Sequence, residues 1–427
     1  MKLTRYREFE STCPQPGVRL LAYPSERFKT IRLRVYLLEP IKPRVATENS
    51  LLARVLRNAS EAHPSRRDIA RACEELYGAT LGVGVSRNAD AQAIVATVDF
   101  PADRYLPRGS KELQRATALL VEILTRPALS PDGSALRADI VEQEKYQLEN
   151  ELKALQDDKP SWAALLATQR TYAGMPGAVS EHGTVEDLAG ITPEGLLTRQ
   201  RSLIGNAQVY AFVTGPVEPL HALKTLSSKL DLPRGKRPAL PKALKLKNRS
   251  TVQRNRVQAE TEQTHLVFTW SGGDVYGSPG FAPMLYADAL FGGFGMSRLF
   301  KVVREEHGLA YAVHSQYHRA RGSLVAQAAV DPGRAEKAIK LIRSEFKRLQ
   351  GKGFTDAEFA AVRESLIESR RSSWDSQGAR VSDAVFQAVL GFRQTLEQQL
   401  KDIRRVKPAQ VRAMLKKLKP HSEFRLG

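Results

Sequence analysis

The stretch Leu290–Val313, LFGGFGMSRLFKVVREEHGLAYAV, decides how the rest of the chain is read. Gly292, Gly293 and Gly295 make a turn whose backbone can approach a wall of the fold, or a peptide, closely. The turn leads into an amphipathic helix with Leu299, Phe300, Val302 and Val303 on its apolar side. Gly308 ends that helix, and Leu309–Val313 reads as a strand. The tight turn between them brings Arg304, in the helix's last turns, within reach of Tyr311 in the strand. The phosphate loop G-x-x-x-x-G-K-S/T is missing, and so is the spacing G-x-G-x-x-G, so the glycines do not point to a nucleotide.

The same order of elements occurs earlier in the chain. SRRDIARACEEL ends at Tyr77-Gly78 and runs into GATLGVGVSRNADAQAIVATVDF; SRLFKVVREEH ends at Gly308 and runs into LAYAVHSQYHRARGSLVAQAAVD. Gly78-Ala79-Thr80-Leu81 aligns with Gly308-Leu309-Ala310-Tyr311, and Val98-Asp99 with Val330-Asp331. Helical segments follow each strand pair, RATALLVEILTRPALS and AEKAIKLIRSEFKRLQ, with apolar residues three and four apart. Each half also opens on strand-like sequence, VRLLAYP with IRLRVYLLE in the first and THLVFTWSG in the second. Strands then helices, twice over, predict an α+β chain of two homologous domains, each an antiparallel sheet with helices packed on one face. The join is Leu232–Ser250, with three prolines, seven Lys or Arg and no acid. Such a stretch is an extended, self-repelling connector, or else a disordered basic segment that binds a partner. The expected division is therefore 1–231, a linker over 232–250, and 251–427.

At 427 residues, 42% hydrophobic and 26% charged, the composition suits two globular domains. MKLTRYREFE contains no apolar run that would mark a secretory signal, and no window is long enough to span a membrane, so the cytoplasm is the expected location. Cys13 and Cys73 are too few for a disulfide framework or a multi-cysteine metal site. Sixty-five basic against 46 acidic residues give a net charge of +19, which favours anionic partners. No helix-turn-helix, zinc finger or RNA-recognition aromatic pair accompanies that charge, and the arginines are scattered as on solvated helix faces. Nucleic acid is not an expected partner; a basic module for acidic partners is what charge alone would support.

The 290–313 stretch with its Arg and Tyr, set in a duplicated plan, resembles the pitrilysin and mitochondrial-processing-peptidase family, the insulinase-like zinc peptidases with an inverted H-x-x-E-H motif. The resemblance spans nearly the whole chain. In that family the two His, one helical turn apart, bind zinc, and the Glu polarises the attacking water. The corresponding helix here is ENSLLARVLRNAS, where Ser50, Ala53 and Arg54 stand in place of His, Glu and His. Ser is a poor zinc ligand, Ala offers no base, and Arg brings a permanent positive charge. A shifted alignment does not restore the site, because His63, His182 and His221 are the only histidines of the first half and no two lie one turn apart. The resemblance puts Glu151 of IVEQEKYQLENELKALQDDKP at the third ligand's place, on one face with Glu144. Glu151 is then a remnant, a structural carboxylate, or part of a solvated Glu/Lys face. His307, His314 and His318 make no metal site either, since the last two, in a strand, stand about 13 Å apart.

YQLENELKALQDDKPSWAALLATQR followed by GTVEDLAGITPEGL is similar to the short bacterial members that have lost the zinc motif and pair with a chain that keeps it. The resemblance therefore implies an inactive peptidase homologue, the non-catalytic subunit of a zinc metallopeptidase. No cofactor is expected in this chain, and zinc is expected in the partner. The implied partners are a homologous H-x-x-E-H-bearing subunit in a heterodimer, or a second copy, and a peptide substrate. Arg304 and Tyr311 would position that peptide in trans, with Gly292, Gly293 and Gly295 allowing its approach. The structural alternatives are a salt bridge from Arg304 to Glu305 or Glu306 and a buried strand aromatic at Tyr311. The same fold also resembles the inert scaffold subunits at the core of respiratory complexes.

Overall fold

The computed structural model describes residues 3–233 and 235–427; Met1, Lys2 and the linker's Arg234 lie outside the described residues. Among the described residues, the first sheet is built from β1 (Thr4–Tyr6), β2 (Phe9–Gln15), β3 (Val18–Pro24), β4 (Thr30–Pro40), β5 (Thr80–Asn88), β6 (Ala91–Pro101) and β7 (Gln208–Gly215). The second comprises β8 (Gln253–Val257), β9 (Thr264–Ser271), β10 (Ala310–His318), β11 (Ser323–Val330) and β12 (Lys419–Leu426). The strand orders are β1-β2-β3-β7-β4-β6-β5 and β10-β11-β9-β12-β8. Read from the opposite edge, the second is β8-β12-β9-β11-β10, which repeats β3-β7-β4-β6-β5 strand for strand. The duplication extends to direction: β3 runs parallel to β7, and β8 parallel to β12. The wholly antiparallel sheets expected from sequence are thus mixed, because β7 and β12 return from long helical excursions instead of tight hairpins.

Period-two patterning sets which side of each strand is buried. In β4, Ile31, Leu33, Val35 and Leu37 join the first core with Ile94, Ala96 and Val98 of β6. The helix Pro43–Leu56 begins with Pro at its first turn, where the missing N–H costs nothing, and buries Leu51, Leu52, Val55 and Leu56 in that core. The helix Arg66–Glu75 is capped by the Ser65 side chain, which accepts from the Asp68 N–H. It terminates through Tyr77 and Gly78, both in the left-handed region at φ 56 and 74. Gly308, at φ 55, plays the same part in the second half. There, Trp270 anchors the core, with ring centroids 4.4 Å from Phe346 and 5.2 Å from Phe291.

The compact units are not two continuous stretches. One comprises Met1–Lys153, Val179–Lys242 and Gln377–Arg393; the other Ala154–Ala178, Ala243–Ser376 and Gln394–Gly427. The reason lies in the sheets' second faces. Every residue of β9 is buried, and while Leu266, Phe268 and Trp270 enter the main core, Val267 packs with Val325, Phe424 and Leu426 against Ala163 and Ala167 of the helix Lys159–Thr171. In the first unit the helix Gln377–Leu390 serves the corresponding role: Asp383 accepts from Arg7 at 3.0 Å, and Arg380 lies 4.5 Å from the Tyr23 ring centroid. The linker is extended, as its composition dictates, but it is not loose. Arg237 is buried and donates to the Ile204 and Ala207 carbonyls at 2.8 and 2.6 Å, closing the C-terminus of the helix Pro193–Asn206. Further on, Leu246 donates its N–H to the Arg321 carbonyl at 2.9 Å. Among the described residues no helix is long and apolar enough to cross a membrane.

His421 occupies a bulge in β12, where the register shifts between Pro420 and Ser422, and it is only 3% exposed. Its Nδ1 has no partner, and burial, reinforced by the positive Arg249, pushes its pKa down to about 4. A depressed imidazole pKa stabilises the fold above the unfolded value near 6.5 and withdraws that stability as pH falls toward 4. The loss comes to about 3 kcal/mol. His421→Gln, which cannot titrate, should show less acid sensitivity than the parent when urea midpoints are compared between neutral pH and the low end of that window. Equal acid sensitivity in both proteins would contradict this account.

Candidate functional site

In the first unit the helix Pro43–Leu56 carries Ser50, Ala53 and Arg54, the residues that the sequence resemblance sets against the inverted zinc motif. Ser50 and Ala53 are buried at 4% and 1% exposure, while the Arg54 side chain reaches the edge of the helix. From the helix Ala138–Ala154, the two carboxylates of Glu144 and Glu151 converge on it. Arg54 donates to Glu151, and its other terminal nitrogen lies 3.5 Å from Glu144. Glu144, almost wholly buried, is further held by Arg57 at 3.6 Å and accepts from Asn58 Nδ2 at 2.8 Å. Asn58 also donates to the Arg54 carbonyl at 2.7 Å, tying the network to the helix's own backbone. His182 stands at the margin beside Glu181, 3.4 Å away, and that contact raises its pKa against the opposing charge of Arg54.

This donor set does not fit zinc. It offers one serine hydroxyl, no imidazole on the helix, and a guanidinium where the metal's positive charge would sit. Among the described residues no group of three His, Cys, Asp or Glu is placed to hold a metal ion. Arg54 therefore supplies, as a fixed side chain, the cation that the carboxylates require. Glu151 is more than a solvated helix face, since it takes part in this network, but Glu144 is the residue that matters most to it. Its sequence signal was the seven-residue spacing, together with the unusual arginine pair Arg54 and Arg57 on the facing helix.

In the second unit the 290–313 stretch is wound more widely than an α-helix, in π-helical segments Ala289–Gly293 and Leu299–Glu306. The turn closes where Gly308 N–H donates to the Arg304 carbonyl at 3.1 Å and Leu309 N–H to the Val303 carbonyl at 2.9 Å. The backbone thus brings the end of the helix against the start of β10, an edge strand. Tyr311 is the extra residue of a bulge between Ala310 and Ala312 and is 68% exposed. Arg304 is exposed, with its guanidinium 4.9 Å from the Phe300 ring centroid. Neither structural alternative holds: Tyr311 is not a buried aromatic, and Arg304 has no ion pair to Glu305 or Glu306 among the described residues. No direct bond joins the Arg304 and Tyr311 side chains there either.

The three glycines divide by environment. A Cβ on Gly292 would lie 2.5 Å from the Ser315 nitrogen, so close packing on β10 dictates that residue. Gly293 is exposed but backs tightly onto Asp288, whereas Gly295 faces open space beside Met296, which is 93% exposed. Asp288 was not foreseen. Its carboxylate accepts from Ser315 Oγ at 2.6 Å and Tyr317 N–H at 3.1 Å, fastening the glycine turn to β10. His314 and His318 lie along β10 as a strand requires, with the His318 ring stacked on Tyr172.

The first network gives a stability test. Arg54→Ala leaves a buried carboxylate short of one of its two neutralising charges and should cost about 2–4 kcal/mol in urea denaturation. Glu151→Ala, at a carboxylate 62% exposed, should cost below about 1 kcal/mol. Equal costs for the two would mean that Glu144 does not depend on Arg54.

Residues 190–366 match the family described as the peptidase M16 inactive domain. Over 362 residues, 81% of each chain, the sequence is 25% identical to the probable inactive metalloprotease YmfF of Bacillus subtilis. The fold is similar to the crystal structure of a conserved protein from Enterococcus faecalis, with a TM-score of 0.90 at 24% identity over 98% of both chains. It is also similar to that of a peptidase M16 inactive domain from Pseudomonas fluorescens, with a TM-score of 0.78 at 19% identity over 98% of both chains. The chain is thus similar to proteins described as inactive peptidases, residues 190–366 to the M16 inactive domain and most of its length to a probable inactive metalloprotease.

Proposed function

We propose that this chain is the non-catalytic subunit of a heteromeric zinc peptidase, in which Arg304 and Tyr311 position a peptide for hydrolysis by a partner that bears H-x-x-E-H. The observation that carries the reading is the idleness of these two side chains within their own fold. An arginine and a tyrosine at the mouth of a tight turn, both exposed and neither anchored by a carboxylate, contribute little to stability and remain available as donors. Aimed at a scissile carbonyl, they would hold it in register and offset the charge that develops on its oxygen. The edge position of β10 supports the reading, because an extended peptide can add to an unpaired strand edge. Gly295, open to solvent, leaves room beside it, and Gly292 serves packing. Zinc in the partner would supply the activated water; this subunit would bind and orient. A net charge of +19 favours acidic peptides or an acidic partner, with association that slows as salt rises. The cytoplasm is the location that fits such a pair.

In the mixed complex, Arg304→Ala or Tyr311→Phe should lower kcat/KM by roughly 10²–10³. Because both side chains are exposed, the melting temperature should move little, and assembly by size-exclusion chromatography should be unchanged. Ser50→Ala should leave turnover nearly as it was. Full turnover in both the Arg304 and the Tyr311 variants would show that the pair carries no chemistry and would favour an inert scaffold.

A further inference from the structure

The second unit contains a partly enclosed cavity of about 190 Å³ on the helical side of its sheet. Tyr276, Phe281, Leu285 and Tyr317 form its apolar wall, with ring centroids 4.2 Å apart between Tyr276 and Phe281 and 6.0 Å between Phe281 and Tyr317. Asp288 also lines it. This carboxylate is desolvated yet meets no cation among the described residues: its two hydrogen bonds come from the neutral Ser315 hydroxyl and Tyr317 amide. Burial lifts its pKa to about 6. A carboxylate oxygen can accept more than one donor, so each oxygen keeps a free acceptor direction. Burying such a charge without a counter-ion is costly, and a positive ligand would relieve that cost.

The other charges around the cavity are already engaged. Asp402 accepts from Gln394. The Arg319 guanidinium lies over the Tyr276 ring at 5.5 Å, and that of Arg370 over Trp374 at 4.9 Å. The remaining aromatic faces attract cations, and the apolar wall suits a short hydrocarbon body.

We propose that this cavity binds a small aliphatic or aromatic amine in its protonated form, with the ammonium on Asp288 and the apolar body against Phe281, Leu285 and Tyr317. The ligand would bear directly on β10, because Asp288 holds Ser315 and Tyr317 of that strand and Gly292 packs on Ser315. Occupancy would therefore stiffen the strand that presents Tyr311. The inference stands apart from the peptidase-partner reading, since its test needs neither a partner chain nor turnover.

Isothermal titration of the full chain with isoamylamine, isoamyl alcohol and isovalerate separates charge from shape. The amine should bind at one site and raise the melting temperature, while the alcohol and the acid should not bind measurably. Asp288→Asn should weaken amine binding by roughly tenfold to a hundredfold, as expected for loss of a charged hydrogen-bond acceptor. Phe281→Ala, which removes part of the wall and leaves the carboxylate, should also weaken it and serves if the Asp288 variant fails to fold. Tighter binding of isovalerate than of the amine would assign the cavity to Arg319 and Arg370 instead. Absence of saturable amine binding, or unchanged affinity in both variants, would overturn the proposal.

Discussion

A sheet that is apolar on both faces must be covered on both, and this constraint shapes the molecule more than any single contact. β9 exposes no residue on either side, and β11 alternates core residues Leu324, Ala326 and Ala328 with Val325 on the reverse. One layer of helices satisfies only half of that demand. The helix Lys159–Thr171 supplies the rest through Ala163 and Ala167, whose small side chains let it lie close to the strands. In the first unit the reverse face is more polar and aromatic. The helix Gln377–Leu390 accordingly meets it with the Arg7–Asp383 pair, the Arg380–Tyr23 stack and a bond between Thr214 and Gln377. Each cover helix comes from a segment flanked in sequence by residues of the other unit. Separating the halves at the linker would thus leave each sheet without its second layer.

A similar demand for compensation governs the helix Pro43–Leu56. Glu144 is nearly inaccessible to solvent and lies across from Arg54. A neutral side chain at position 54 would leave the buried carboxylate with Arg57 alone as its cation, at a cost in stability. Arg54, backed by Arg57 and Asn58, solves this with groups that cannot dissociate or titrate near neutrality. The arrangement therefore balances a buried carboxylate with fixed side chains.

Much of this was legible in the sequence, for identifiable reasons. The duplication could be seen because Tyr77-Gly78 and Gly308 mark equivalent helix ends with a left-handed residue, a local requirement that composition reveals. The alternation in IRLRVYLLE and THLVFTWSG located β4 and β9. The parallel pairs β3/β7 and β8/β12 were not legible, since pairing across long separations leaves no periodic trace. Nor was the assignment of 154–178 and 377–393 to their units, because a helix's pattern shows that it has an apolar side without naming the sheet that covers it. The π-helical winding of Leu299–Glu306 escaped for a related reason: an apolar stripe fits α and π turns about equally well over so short a segment.

Asp288 shows how a residue unremarkable in sequence can join two features of the second unit. It is the last residue of an apolar helix, Phe281–Asp288, where a single acid would ordinarily end the buried face and turn to solvent. Here the glycine turn that follows must lie against β10, and the absent side chain of Gly292 lets the chain approach Ser315 closely enough for that serine to reach back to Asp288. The carboxylate is held inward by the strand it helps to place. Its desolvation is thus a by-product of the same close packing that fixes β10 at Ser315 and Tyr317. Any group that neutralises Asp288, whether a proton or a bound cation, acts on the junction between the turn and the strand. A change of charge in the cavity consequently reaches β10 at Ser315 and Tyr317 through two hydrogen bonds and one glycine.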